Sequence, residues 1–364
     1  MRITKIRYGS LQIPLRTPFK TALRTVEKID DVVIQIESDS GLCGYGSAPP
    51  TVAITGESKE SILATLKHVI EPLLINQSIQ NISELCSKIQ ASCTGNSSAK
   101  ACAEIAVYDL YAQLQNKPLY QVLGGSPALL NTDLTISVND TDIMIADCQD
   151  ALIRGFTALK IKVGTNSTED IQRLSRIYQS VAGRASLRID ANQGWTAEQT
   201  VTVLQTLENA GMVFELIEQP VQACDVDGLK YIKERVKTPV LADESAFSLI
   251  QVKNLIERDA ADLINIKLMK AGGLSQAIAI ADYCEANNKQ CMIGCMLEGS
   301  ISATAAVHFA IAKKSVISKI DLDGPTLGAF NPIDSNVNFN DAVISVTDTP
   351  GLGIRHTSAV FWFD

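Results

Sequence analysis

Aromatic residues are scarce, at 5% of the chain, and lysine and arginine form no run or stripe. Platforms for base stacking and a basic track for phosphates are therefore both missing, which argues against any nucleic-acid partner. The net charge of −8 points the same way. No apolar run reaches the ~18 residues needed to span a bilayer, so no membrane partner is expected. Met1-Arg2-Ile3-Thr4-Lys5 leads into no apolar h-region, and the expectation is a cytoplasmic protein. Nine cysteines are an odd number. They include no C-x-x-C pair, so neither a disulfide framework nor a zinc site is indicated. Histidines number three, His68, His308 and His356, and none falls at an expected strand end. A G-x-S-x-G elbow and a P-loop are absent too. Gly41, Gly44 and Gly46 sit between strand-like segments with no helix directly after them, which reads as a hairpin rather than a phosphate loop.

What is present is a repeating pattern. Five short apolar segments each run into an ionisable residue: Leu159-Lys160-Ile161-Lys162, Leu187-Arg188-Ile189-Asp190, Leu216-Ile217-Glu218, Val240-Leu241-Ala242-Asp243 and Leu263-Ile264-Asn265-Ile266-Lys267. The terminal charges Lys162, Asp190, Glu218, Asp243 and Lys267 follow one another at intervals of 28, 28, 25 and 24 residues. A βαβ unit takes roughly 30 residues, and a buried parallel strand reads as a continuous apolar run. In a (β/α) barrel all strand C-terminal ends meet on one face. The spacing thus predicts three carboxylates around one mouth, flanked by two amines on opposite sides. Leu134–Val138, Gln290–Met296 and Ser318–Asp323 supply the first, seventh and eighth strands of the series.

The first part of the chain reads differently. Alternating apolar residues at 3–13 and 32–37, then the turn Ser38-Asp39-Ser40-Gly41, give an antiparallel meander. Helical faces follow over 58–74, 82–91 and 97–115, the last opening on a serine cap signal. The fold class is accordingly α/β: a (β/α)8-type barrel over 126–324 behind an α+β capping domain over 1–125. The tail, about 325–364, is expected to pack back on the capping domain. Pro18–Thr25, which carries Arg24, reads either as a solvated loop or as a lid over the mouth.

Three acids brought together repel one another unless a cation neutralises them. Hard oxygen ligands suit Mg²⁺, so Asp190, Glu218 and Asp243 are the candidate metal ligands. Asn192 is expected just outside them, orienting the set, and Glu244 either joins it or forms a salt bridge. Lys160 and Lys162 share one side-chain parity and face the same way. Lys162 and Lys267 are the candidate bases, while Lys270, past the strand end, is expected in solvent. A cation holding both oxygens of a substrate carboxylate stabilises the enediolate left when an α-proton departs. A base on each face then permits 1,1-proton transfer or elimination.

These residues resemble the muconate-lactonising subgroup of the enolase superfamily. The likeness rests on Lys160-Ile161-Lys162, Asp190-Ala191-Asn192, Glu218-Gln219-Pro220, Asp243-Glu244-Ser245 and Asn265-Ile266-Lys267, and covers nearly the whole chain. It implies the modified (β/α)7β form of the barrel, Mg²⁺ as cofactor and Asn265 beside the ligand set. Asp321-Leu322-Asp323-Gly324 is similar to the Asp-x-Asp motif of the subgroup's dipeptide epimerases. That implies a substrate ammonium on Asp321 and Asp323. By the same resemblance Arg24 pairs with a glutamate side chain, Ile54 forms an apolar wall, and Thr135 and Lys160 contact the substrate. The implied activity is epimerisation of the C-terminal residue of L-Ala-L/D-Glu, serving cell-wall peptide recycling if the source is a bacterium. Muconate cycloisomerase, o-succinylbenzoate synthase and N-acylamino-acid racemase remain alternatives, with a non-catalytic small-ligand binder more remote. Met296–Ser300 takes no role, and oligomeric state, a homo-oligomer included, stays open.

Overall fold

The structure, a computed structural model, describes residues 1–21 and 24–363. Ala22 and Leu23, within the candidate lid segment, lie outside the described residues. Strands β1 (Ile3–Lys20), β2 (Thr25–Ser38) and β3 (Cys43–Ala48) form an antiparallel meander. Its turn places Gly41 at φ +81°, a conformation glycine adopts without a Cβ penalty. Gly44 and Gly46 serve another purpose. A Cβ there would lie 2.2 Å from the Ala106 carbonyl and 2.0 Å from that of Cys102. Bare backbone lets β3 press against the helix Ser97–Leu114. That helix is rich in small residues and buried on nearly all sides, as befits an element packed between two layers.

The cap of this helix differs from the sequence expectation. Asn96 occupies the N-cap position in a left-handed conformation, and its side chain does not cap the helix amides. Glu57 caps from a distance instead, accepting the amides of Ser98 at 2.8 Å and Ala99 at 3.0 Å. A carboxylate there satisfies two free N–H groups and favours the positive end of the helix dipole.

Eight parallel strands follow in consecutive order: β4 (Leu134–Ile136), β5 (Ala158–Lys162), β6 (Ser186–Asp190), β7 (Leu216–Glu218), β8 (Val240–Ala242), β9 (Leu263–Ile266), β10 (Gln290–Gly294) and β11 (Ile317–Asp321). They make a nearly closed barrel. At the seam between β4 and β11 the ladder gives way to separate contacts. Asp133 N–H donates to the Ile320 carbonyl at 3.2 Å, Leu322 N–H to Thr132 Oγ1 at 2.9 Å, and Thr135 N–H to Asp323 Oδ2 at 2.7 Å. Under the mouth, Leu216, Leu241, Leu263 and Met292 fill one half of the barrel interior. The other half, beneath the seam, is ionic. Arg188 Nη1 lies 2.6 Å from Asp133 Oδ2, Arg188 Nε 2.5 Å from Glu215 Oε2, and Lys319 Nζ 2.7 Å from Glu215 Oε1.

The meander docks over the mouth through polar ties. Ser47 Oγ donates to Ser302 Oγ at 3.1 Å, and Gly299 N–H to Asp31 Oδ2 at 3.0 Å. Near the C-terminus Phe361–Trp362 pairs antiparallel with β1, extending the meander by one short strand. No helix among the described residues is long and apolar enough to cross a membrane.

Candidate active site

Parallel register brings the strand-end charges level. Lys162 pairs with Asp190 across β5 and β6, and Asp190 with Glu218 across β6 and β7. Asp243 follows β8 and Lys267 follows β9 directly. Three left-handed residues other than glycine aim the loops beyond β6 and β7: Asn192 at φ +43°, Gln193 at φ +66° and Gln219 at φ +32°. Such backbone is strained for a residue with a side chain, and Gln219 shows what holds it. Its Oε1 accepts the amides of Asp243 at 2.9 Å and Ser245 at 3.1 Å, and its Nε2 donates to Ser245 Oγ at 2.9 Å. Gln219 thus bolts the Asp243 loop to the Glu218 strand, a role its place in the sequence motif did not reveal.

A single pocket is lined by Arg24, Ile54, Thr135, Lys160, Lys162, Asn192, Glu244, Lys267, Asp321 and Asp323. Met296 and Leu297, from the segment that took no role on sequence grounds, add to its wall with Phe19 and Leu327. Asp190, Glu218, Asp243 and Asn265 lie buried at its base. On one side Lys162 Nζ is 2.5 Å from Asp190 Oδ2 and 2.9 Å from Asn192 Oδ1. On the other Lys267 Nζ is 2.7 Å from Asp243 Oδ2. Lys160 contacts Asp321 and lies 3.7 Å from Glu218 Oε2 and 4.0 Å from Asp190 Oδ2. Asn265 Nδ2 donates to Glu218 Oε1 at 2.7 Å.

Lys270 is not in solvent. A helical turn, Leu268–Ala271, begins immediately after Lys267 and rolls the Lys270 side chain inward. Its ammonium is fully buried and donates to Asp243 Oδ1 and Asp243 O, both at 2.5 Å, and to Asn265 O at 2.9 Å. Its place past the strand end suggested solvent, but the helical turn carries the chain back over the barrel rather than away from it.

The electrostatics show a surplus of acid. Burial, then the charge of Asp190, pushes the Glu218 carboxyl up to about 8. Burial, then Asp243, pushes Glu244 up to about 7. Burial acts on Asp243 too, but Lys267 and then Lys270 override it and hold that carboxyl well below its usual range. Lys267 itself is raised, since Asp243 and Glu218 outweigh its burial. Glu218 Oε2 and both oxygens of Glu244 are buried without a hydrogen-bond partner among the described residues. Orphaned acceptors in a site of hard carboxylate oxygens fit a divalent cation.

Close packing of acids is greatest at the seam beside the pocket. Among the described residues, the acids whose oxygens all lie within 4.8 Å of one another are Asp133, Asp321 and Asp323, not the three strand-end acids. Lys160 and Arg188 already contact that trio. Burial and the neighbouring Asp321 raise Asp323, whereas Lys160, then Lys267, lower Asp321 against its burial. Arg24 lines the outer pocket, its pKa lowered by burial.

Comparison with known proteins agrees with this geometry. Residues 4–124 match the model of the mandelate racemase / muconate lactonizing enzyme N-terminal domain, and residues 144–360 match the enolase C-terminal domain-like model. An L-Ala-D/L-Glu epimerase of Clostridium acetobutylicum is 44% identical over 98% of this chain and 99% of its own. The substrate-liganded L-Ala-D/L-Glu epimerase of Bacillus subtilis superposes with a TM-score of 0.95 at 43% identity, covering 97% of this chain and 99% of that one. A dipeptide epimerase of Enterococcus faecalis, complexed with Mg and L-Leu-L-Tyr, superposes at 0.93 with 37% identity, over 98% of this chain and all of that one.

Proposed function

The chain belongs to the mandelate racemase and muconate lactonizing enzyme family of the enolase superfamily, and from that premise we propose a dipeptide epimerase acting on L-Ala-L/D-Glu. Relatives named as epimerases and racemases make it an isomerase of amino-acid derivatives. The observation that carries the substrate is the presence of two sets of acids around one pocket. The strand-end acids Asp190, Glu218 and Asp243 are buried beneath it, Asp321 and Asp323 line it, and Lys160 sits between the two sets. Lys162 and Lys267 line the same pocket. A short zwitterion with its carboxylate toward the strand-end acids and its ammonium toward Asp321 and Asp323 matches this layout.

Asp190, Glu218 and Asp243 would hold Mg²⁺. The ion would supply charge stabilisation at the substrate carboxylate. Everything else falls to side chains. Asn265 and Asn192 orient the acids through Glu218 and Lys162. One lysine removes the α-proton, and the other delivers a proton to the opposite face of the same carbon. Aspartates 321 and 323 seat the ammonium, Thr135 and Lys160 border the peptide, and Ile54 walls the pocket. Arg24 on the rim meets the distal carboxylate, for which its planar fork is suited. N-Acylated substrates lack the free ammonium that Asp321 and Asp323 would receive. Muconate cycloisomerase, o-succinylbenzoate synthase and N-acylamino-acid racemase chemistry are therefore less well matched. Incubation of L-Ala-L-Glu with protein and Mg²⁺ in D₂O should give deuterium at the glutamyl α-carbon and both epimers. Retention of that proton in L-Ala-L-Glu, with exchange in N-succinyl amino acids, would move the assignment to the racemases.

A further inference from the structure

We propose that Asp133, buried directly beneath the cation pocket lined by Asp321 and Asp323, sets through them the preference for a substrate with a free ammonium. The inference rests on the epimerase reading and deepens it. Asp133 precedes β4 and shares side-chain parity with Thr135, so both face the barrel interior. It is fully buried, and its carboxylate lies within 4.8 Å of those of Asp321 and Asp323. Oδ2 is held by Arg188 at 2.6 Å, while Oδ1 has no hydrogen-bond partner among the described residues.

Counting charges around the seam shows what this residue contributes. Four acids, Asp133, Glu215, Asp321 and Asp323, face three cations, Lys160, Arg188 and Lys319. Arg188 and Lys319 are matched by Glu215 and Asp133. Lys160 contacts Asp321 but is shared with Glu218 and Asp190, so it cannot neutralise both Asp321 and Asp323, and negative charge is left for an incoming ammonium. Without the Asp133 charge, Arg188 would have only Glu215, which it shares with Lys319, and the seam would lose one of its negative charges. Burial, then Asp321, pushes the Asp133 carboxyl up, while Arg188 at 2.6 Å favours its charged form; once formed, a buried charge counts more than one at the surface. Asp133 lies below the pocket and acts through Asp321 and Asp323, so it is a positioning residue.

The test compares L-Ala-L-Glu with N-acetyl-L-Ala-L-Glu, in which a neutral acetamide replaces the ammonium, by α-proton exchange in D₂O. Wild type should strongly favour the free dipeptide. Asp133→Asn keeps the shape and a partner for Arg188. It should narrow the ratio of the two kcat/KM values by about tenfold, mainly through a higher KM for the free dipeptide, with kcat changed less than about threefold. Asp133→Glu should restore most of the preference. Equal ratios in wild type and a folded Asp133→Asn, or a loss confined to kcat, would overturn the assignment. If Asp133→Asn does not fold, Asp133→Ser carries the same comparison. Wild-type protein that exchanges neither compound would refute the epimerase reading, and this inference with it. Exchange of the free dipeptide by wild type with an unmoved ratio in the variants would refute this inference alone.

Discussion

Gly294→Ala should cripple turnover while leaving the fold almost untouched. Gly294 ends β10 with its missing side chain facing the barrel interior. A Cβ there would lie 2.8 Å from Asn265 Oδ1 and 2.9 Å from Lys267 Cε. Both are side-chain atoms, and the lysine methylene is the more free to move. Backbone strain does not enter, because Gly294 is not among the glycines with positive φ. The stability cost is that of mild overpacking, about 1 kcal/mol. Activity is affected differently. A displaced Lys267 no longer aligns with the α-carbon, and a displaced Asn265 releases Glu218 Oε1 from its 2.7 Å bond. Misplacement by ~1 Å costs on the order of 10²-fold in rate. Exchange kinetics and urea denaturation on the same preparation separate the two effects. A kcat within about twofold of wild type would show that this space is not needed, and the reasoning from close approach would fail.

Other perturbations probe the fold and the rim. Glu57→Ala removes two bonds to the start of the Ser97–Leu114 helix and should lower stability by about 1–2 kcal/mol; an unchanged urea midpoint would contradict this capping role. His308 is buried, accepts the Tyr120 amide at Nδ1 (2.9 Å) and meets Asn336 Oδ1 at Nε2 (2.8 Å). Burial pushes its imidazole down to about 4, so the unfolded chain takes up a proton near its ordinary pKa that the folded chain refuses. Its contribution to stability is therefore present above about pH 6.5 and lost as pH falls toward about 4; His308→Gln should flatten that limb of a stability–pH curve. Arg24→Ala should raise KM for L-Ala-L-Glu about tenfold or more with kcat little changed, and unaltered values of both would remove Arg24 from the site.

The barrel was legible because buried parallel strands announce themselves as apolar runs, and five of them stop at an ionisable residue. That these residues share one mouth follows from strand direction alone. The less legible parts have identifiable causes. Lys270 lies where a strand turns into a helix, and the alternation that placed Lys160 beside Lys162 has no force there. Asp133 looked like an ordinary residue ahead of a strand, since its partner Arg188 is 55 positions away. The cap of the Ser97–Leu114 helix comes from Glu57, 41 residues before Ser98, so no local capping signal could show it. Gly44 and Gly46 were recognisable as not belonging to a phosphate loop, but their contact with Cys102 and Ala106 depends on tertiary packing.

The arrangement of two amines on opposite sides of one carbon is tested most directly by following each epimer separately in D₂O. With Mg²⁺ present, Lys162→Ala and Lys267→Ala should both fail to interconvert L-Ala-L-Glu and L-Ala-D-Glu. Each variant should still exchange the α-proton of one epimer, and the two should exchange opposite ones. Loss of exchange from the same epimer in both variants, or continued interconversion in either, would contradict a proton passed between two faces.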